Sequence, residues 1–163
     1  MARTADYSKQ SCSIAATLEV VGDPWTLLIV REAFSGVRRF EDWQTRLGVA
    51  RNVLAARLKT LVEHGVLERR RYTERPPRFE YRLTSKGRDL YPVMMALTAW
   101  GDKHAYADCG APVRMVHTAC GEEIRPVITC AGCGEPVRPT EIRMERQDAP
   151  TVGQVLAPKP QAA

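Results

Sequence analysis

No apolar run in the 163-residue sequence approaches the roughly 20 residues that a bilayer-spanning helix requires, since the most apolar stretch extends only from Trp25 to Val30. The N-terminus lacks the basic-then-apolar order of a signal peptide. A cytoplasmic protein without membrane association is therefore expected. Nor does the sequence contain a Ser/His/Asp set, paired carboxylates or a glycine-rich phosphate loop, so catalysis of those kinds is not expected. Disulfides are poorly served too. The five cysteines are an odd number, with Cys12 alone and Cys109, Cys120, Cys130 and Cys133 close together. That distribution argues against a secreted disulfide scaffold and for metal binding by the cluster.

What the sequence has in excess is positive charge: 24 Lys and Arg against 19 Asp and Glu, a net +5. The excess points to an acidic partner. Hydrophobic residues at 44% and charged residues at 26% are ordinary globular values, enough to bury a core.

Composition divides the chain into three. Residues 11–106 are dense in apolar residues at helical spacing and read as one folded domain. Residues 107–147 are short segments punctuated by Gly, Pro and Cys, which favour turns and small hairpins. Residues 148–163 hold Pro150, Pro158 and Pro160, several alanines and little to bury, and read as a disordered tail.

Within the first segment, Ile14, Leu18 and Val21 share one face of a helix over 11–21, closed by Gly22. Asp23 is a natural N-cap and Pro24 suits a first helical position, so a buried second helix follows over 25–33. A short helix over 40–47 ends at Gly48, and a fourth over 50–64 places Leu54, Leu58, Leu61 and Val62 on one stripe. Its opposite side shows Asn52, Ala56 and Lys59, with Arg51 at the start and Arg57 at the margin. Two strands over 66–72 and 79–83 flank a hairpin tip containing Pro76 and Pro77. Thr84 then caps a long helix carrying Leu90, Val93, Met94, Leu97 and Trp100, kinked or restarted near Pro92.

Helix, glycine turn, helix with a basic face and two-stranded hairpin is the order of a winged helix-turn-helix. The fold class is therefore α+β: a winged helix-turn-helix domain, a small C-terminal β module and a tail. Between Arg51 and Arg82 nine Arg and Lys face four Glu, so the whole excess of the chain is concentrated here. Duplex DNA rewards such placement, because arginines on phosphates release condensed counterions. The expected DNA-contacting residues are Arg51, Asn52, Ala56 and Lys59 on the recognition helix and Arg69, Arg70, Arg71, Arg75 and Arg78 on the wing. Arg51 and Asn52 can also read base edges, Arg matching guanine and Asn adenine. A solvated, aggregation-resistant strand edge is the plainer reading of the same arginines.

The motifs that carry a family likeness are Cys12, Gly22-Asp-Pro-Trp-Thr-Leu-Leu-Ile29, Gly36-Val-Arg-Arg-Phe40, Asn52-Val-Leu54 with Arg57-Leu58, Gly65, Pro76-Pro77 with Glu80-Tyr81, Leu83-Thr84, Gly87 and Trp100. Through them the chain resembles the HxlR family of bacterial winged-helix transcription regulators. The resemblance implies a homodimer, joined by the first and last helices of the domain, that places two recognition helices on a palindromic operator about 34–36 Å apart. It implies repression more often than activation, and in some members a response to oxidants or electrophiles through a cysteine at the position of Cys12. A small-molecule effector is allowed, with no class assigned. A free cysteine near a helix N-terminus can be a reactive thiolate or simply a small packing residue.

In the second segment His117-Thr-Ala-Cys120-Gly121 and Cys130-Ala-Gly-Cys133-Gly134 repeat one pattern, two ligands separated by two residues and followed by glycine. Such turns look like the two knuckles of a zinc ribbon, and His117, Cys120, Cys130 and Cys133 would close a tetrahedron around a structural Zn2+. The module has only Val116, Ile124, Val127, Ile128, Val137 and Ile142 to bury, too few to stand without a staple. Its five Arg against seven acids between Asp108 and Asp148 argue against a second nucleic-acid surface. Cys109 is given no role. Two rival readings are a Cys-x-x-Cys thiol oxidoreductase using Cys130 and Cys133, and a winged helix that binds protein instead of DNA.

Overall fold

The computed structural model describes residues 6–157, in two compact units. The first comprises residues 6–89 and 148–157, and the second is Leu90–Gln147. In the first, α1 (Ser13–Val21), α2 (Pro24–Phe34), α3 (Phe40–Leu47) and α4 (Arg51–Glu63) precede a hairpin of β1 (Leu67–Thr73) and β2 (Arg78–Leu83), then the short α5 (Ser85–Arg88). The second holds α6 (Tyr91–His104) and a single 3-10 turn, Pro139–Glu141. A final short helix, α7 (Val152–Val155), returns to the first unit. Among the described residues no single helix is long and apolar enough to cross a membrane.

Local chemistry sets the helix limits. The Asp23 carboxylate accepts the Trp25 N–H at 3.0 Å and Pro24 takes the first helical position, so α2 starts there. The α3–α4 turn depends on Gly48, whose φ of 61° is left-handed and whose N–H donates to the Gln44 carbonyl at 3.0 Å. At the far end of α4 the Thr84 hydroxyl donates to the Gly65 carbonyl at 2.6 Å and accepts the Gly87 N–H at 3.1 Å. One side chain thus joins the exit of α4 to the start of α5.

The core lies where α2, α3, α4 and the hairpin meet. Trp43, Ile29, Val30, Leu54, Leu58, Leu61, Val66 and Leu67 are all buried, each contributing about 1.5–3 kcal/mol through removal from water. Trp43 also donates its Nε1–H to the Ile29 carbonyl at 3.2 Å and meets the Tyr81 ring edge-on at 5.9 Å. The hairpin pairs antiparallel from Leu67 opposite Leu83 to Thr73 opposite Arg78, with an irregularity between Arg71 and Thr73. Its β2 edge is extended by the residues before α3. Arg39 bridges Glu80, and the Tyr81 N–H donates to the Arg38 carbonyl at 2.8 Å. The wing is therefore anchored to the entrance of the helix-turn-helix.

Three expectations need correction. The compact units divide at Leu90, inside the segment read as one domain, where α5 has ended at Arg88 and Pro92, lacking an N–H, stands in the first turn of α6. The tail expected to be disordered is ordered over 148–157, and residues 158–163 lie outside the described residues. Val152 is buried, its N–H donates to the Gln10 carbonyl at 2.7 Å, and the Gly153 N–H donates to the Ser8 carbonyl at 2.9 Å. The Ser11 hydroxyl donates to the Ala149 carbonyl at 3.0 Å, so residues 8–11 clasp the tail while α1 starts at Ser13 and not at 11. Finally, of the six apolar residues expected to fill the module, Val116, Val127, Ile128 and Ile142 are exposed. Turns and isolated bridges there enclose no volume in which to bury them.

Candidate nucleic-acid interface

Helix α4 sets out its two sides as its spacing requires. Leu54, Leu58 and Leu61 are buried, while Arg51, Asn52, Ala56 and Lys59 are exposed on the other side. Arg57, at the margin, faces inward: its Nη2 sits 2.6 Å from Asp23 Oδ2, and its Nε is buried with no hydrogen-bond partner. Its charge is spent on the α2 N-cap, so it adds nothing to an outward basic face. Asp23 therefore caps α2 and fixes the rotation of α4 with the same carboxylate.

On the wing Arg69, Arg70, Arg71, Arg75 and Arg78 are all exposed, but their charges are handled differently. Arg70 pairs with Glu68 at 2.6 Å and Arg71 with Glu74 at 3.5 Å, and Arg82 pairs with Glu80 at 2.7 Å. Lys59 on α4 lies 3.6 Å from Glu63. The Arg70, Arg71 and Lys59 pairs are exposed, worth little and yield to a stronger anion, whereas the Glu80 carboxylate that holds Arg82 is largely buried. Arg51 and Arg69 instead lie over the rings of Phe40 and Phe79, at 4.8 Å and 3.5 Å. Stacking orients a guanidinium without using its N–H donors.

Arg39 also belongs to this surface, although it lies outside the residues expected from the sequence to contact DNA. It is exposed, sits 5.0 Å from the Tyr72 ring and is bridged to Glu80, so the fold carries it from before α3 to the wing. Counting charge from Arg51 onward leaves it out, although Gly36-Val-Arg-Arg-Phe40 displays it.

Cys12 is exposed in an extended conformation at the N-cap of α1, where its side chain makes no capping bond. It follows directly on the residues that clasp the tail.

The two expected knuckles have one backbone geometry. In the first, the His117 N–H donates to the Glu122 carbonyl and the Gly121 N–H to His117, both at 2.8 Å. In the second, the Cys130 N–H donates to Glu135 at 2.8 Å and the Gly134 N–H to Cys130 at 2.7 Å. Bridges between Val116 and Glu123 and between Thr129 and Pro136 repeat the match. Gly121 and Gly134 sit at φ 77° and 79°, where a side chain would be strained. His117 Nδ1 lies 3.2 Å from Cys120 Sγ, near the edge of about 3.6 Å of a tetrahedron with Zn–N about 2.1 Å and Zn–S about 2.3 Å. Around Cys130, the N–H of Cys133, then that of Gly132 and the Cys133 thiol, stabilise the thiolate and hold its pKa below the ordinary value.

Each pair thus fits half a tetrahedral site, yet among the described residues no three His, Cys, Asp or Glu side chains are gathered where one ion could be held. The four residues stand as two pairs. Cys109, given no role from sequence, closes a third turn of the same form, with the Gly110 N–H donating to the Tyr106 carbonyl at 2.9 Å and Gly110 at φ 80°. Tyr106 fills the first-ligand position there, and the signal was the shared x-x-Cys-Gly spacing. The Cys130–Cys133 pair lies in a turn, not at the start of a helix, which removes the context a thiol oxidoreductase uses.

Comparison with known proteins agrees with the geometry. The HxlR-like helix-turn-helix profile matches residues 20–109. An uncharacterized HTH-type transcriptional regulator of Mycobacterium tuberculosis is 44% identical over 133 residues, which is 82% of this chain and 84% of the relative. The solved structure of PA1607, a proposed transcription factor, is 41% identical with a TM-score of 0.78, covering 86% of this chain and 99% of that one. The redox regulator HypR in its oxidized form is 29% identical with a TM-score of 0.53, covering 57% of this chain and 97% of that one. The first two likenesses are too long to stop at residue 109 and reach into the C-terminal module. The family is one of regulators and not a class of enzymes. Fold, charge placement and likeness over most of the chain lead to one conclusion: this protein belongs to the HxlR-like helix-turn-helix family and is a DNA-binding transcriptional regulator.

Proposed function

We propose that the chain is a homodimeric repressor of a palindromic operator, with α4 in the major groove and the β1–β2 wing on phosphates. The observation that carries this reading is the one surface formed by the exposed side of α4 and the arginine-rich wing. Dimerisation is supported by apolar residues that each unit leaves in water: Ile14 and Leu18 on α1, and Val93, Leu97 and Trp100 on α6. The test is fluorescence anisotropy with duplex DNA from upstream of the protein's own gene, at two salt concentrations and against unrelated competitor. Binding that survives competitor, with two chains per duplex, is expected. Arg78→Ala should weaken binding to every sequence and flatten the logarithmic salt slope by about one. Loss to any competitor, or an unchanged slope, would refute the assignment.

The C-terminal module is assigned a structural Zn2+ held by His117, Cys120, Cys130 and Cys133, drawing the two knuckles together. The bound ion would supply cross-linking and no open coordination position for catalysis. Its support is the matched backbone of the two turns. Protein made with zinc available should carry about one zinc per chain, and Cys133→Ser should lose nearly all of it. A chain with far less zinc before any chelator treatment would end the assignment.

A thiol response through Cys12 is supported by its exposure at the N-cap of α1 and by the likeness to HypR, itself a redox regulator. Diamide treatment of the full chain should change duplex affinity several-fold, and Cys12→Ser should remove the change. A response that persists in Cys12→Ser would place sensing elsewhere.

A further inference from the structure

We propose that the cleft between α3, the start of α4 and the wing is a binding site for a small planar aromatic carboxylate. The cavity measures about 490 Å3 and is lined by Phe40, Arg51, Arg69, Tyr72, Arg78 and Tyr81, with Phe79 and Glu41 at its walls. That volume is in the range of small-molecule pockets, roughly 300–1,000 Å3.

The arginines are sorted by the fold. Arg70, Arg71 and Arg82, outside the cavity, each have a glutamate partner. Among the described residues Arg51, Arg69 and Arg78, which line it, have none. Two of them are held over rings, Arg51 on Phe40 and Arg69 on Phe79, leaving their N–H forks to receive a carboxylate in paired hydrogen bonds. Against these three cations the cavity sets one acid, Glu41. A seat for a bare phosphate needs donors and water and gains nothing from an apolar wall. Here Phe40, Tyr72, Phe79, Tyr81 and Pro77 stand among the arginines of the lining, which gives apolar contact to a flat body joined to the anion.

Because Arg51, Arg69 and Arg78 also belong to the proposed DNA surface, a bound ligand would compete with duplex. That consequence rests on the DNA-contact reading above, whereas the site itself does not. The probe is 2-naphthoate, titrated calorimetrically into the full chain without DNA. Its neutral analogue 2-naphthalenemethanol, the aliphatic cyclohexanecarboxylate and inorganic phosphate should each bind at least about tenfold more weakly, a difference of about 1.4 kcal/mol. Arg69→Met should lose a similar factor with an unchanged far-UV spectrum and melting midpoint. Lys86→Ala, which removes an exposed cation outside the cavity, should bind like the parent.

Equal affinity for phosphate would make the cleft a phosphate seat and overturn the proposal, as would unchanged naphthoate affinity in Arg69→Met. Naphthoate binding that obeys these controls in a chain that binds no duplex would support the site while refuting the DNA-contact reading. Where both bind, duplex should raise the apparent naphthoate Kd. A Kd insensitive to saturating duplex, with the loss in Arg69→Met intact, would support the site and refute the contact of duplex with its arginines.

Discussion

Asp23→Ala should weaken duplex binding by about tenfold or more, even though it removes a negative charge, and should cost about 2–3 kcal/mol of stability. Long-range electrostatics alone predicts the opposite sign for affinity, because the chain becomes more cationic. The loss arises from geometry. Asp23 caps the N-terminus of α2 through Trp25 and holds Arg57 of α4 at 2.6 Å, both side chains being about three-quarters removed from solvent. Without the carboxylate, Arg57 is left as a partly buried cation whose Nε already lacks a partner. Helix α4 can relieve that only by rotating or shifting, which moves Arg51, Asn52 and Lys59 together. The double variant Asp23→Ala with Arg57→Met should recover much of the stability lost. Anisotropy and thermal unfolding of the two variants check the argument, and tighter binding by Asp23→Ala would defeat it.

The second large effect concerns Gly87. A Cβ built there would lie 2.2 Å from the Val66 carbonyl oxygen and 2.9 Å from Leu83 Cδ2, distances that real side chains do not tolerate. The Val66 carbonyl is fixed in turn, accepting the Thr84 N–H at 3.1 Å at the junction of α4, β1 and α5. Gly87→Ala should therefore force the backbone apart and cost roughly 3 kcal/mol, lowering Tm by about 10 °C for a chain of this size. Gly101 in α6 is the control. No atom lies within 4 Å of a Cβ placed there, so Gly101→Ala should be neutral or stabilising by up to about 1 kcal/mol. Calorimetry on both variants decides, and equal melting points would remove the close-contact argument.

Much of the first unit follows from local rules. Asp23-Pro24 starts α2, Gly48 ends α3, leucine spacing orients α4, and two prolines mark the hairpin tip, because caps, turns and amphipathic periods act over a few residues. For the same reason the exposed side of α4 and the arginines of the wing were legible as a charged surface. Motifs shared with the HxlR family carried the functional class.

Tertiary structure decided what depends on residues far apart in the chain. The sequence places Arg57 beside the recognition face, and only the packing of α2 on α4 shows its charge consumed by Asp23. It shows nine cations between Arg51 and Arg82, and only the folded hairpin separates those paired to glutamate from those facing the cleft. Arg39 reaches the wing through a bridge across 41 positions, to Glu80. Residues 148–157 have the composition of a loose tail, yet they gain order from hydrogen bonds to residues 8–11, some 140 positions away. Composition reports what a segment can bury by itself, whereas order and charge in these places come from partners that only chain closure brings near.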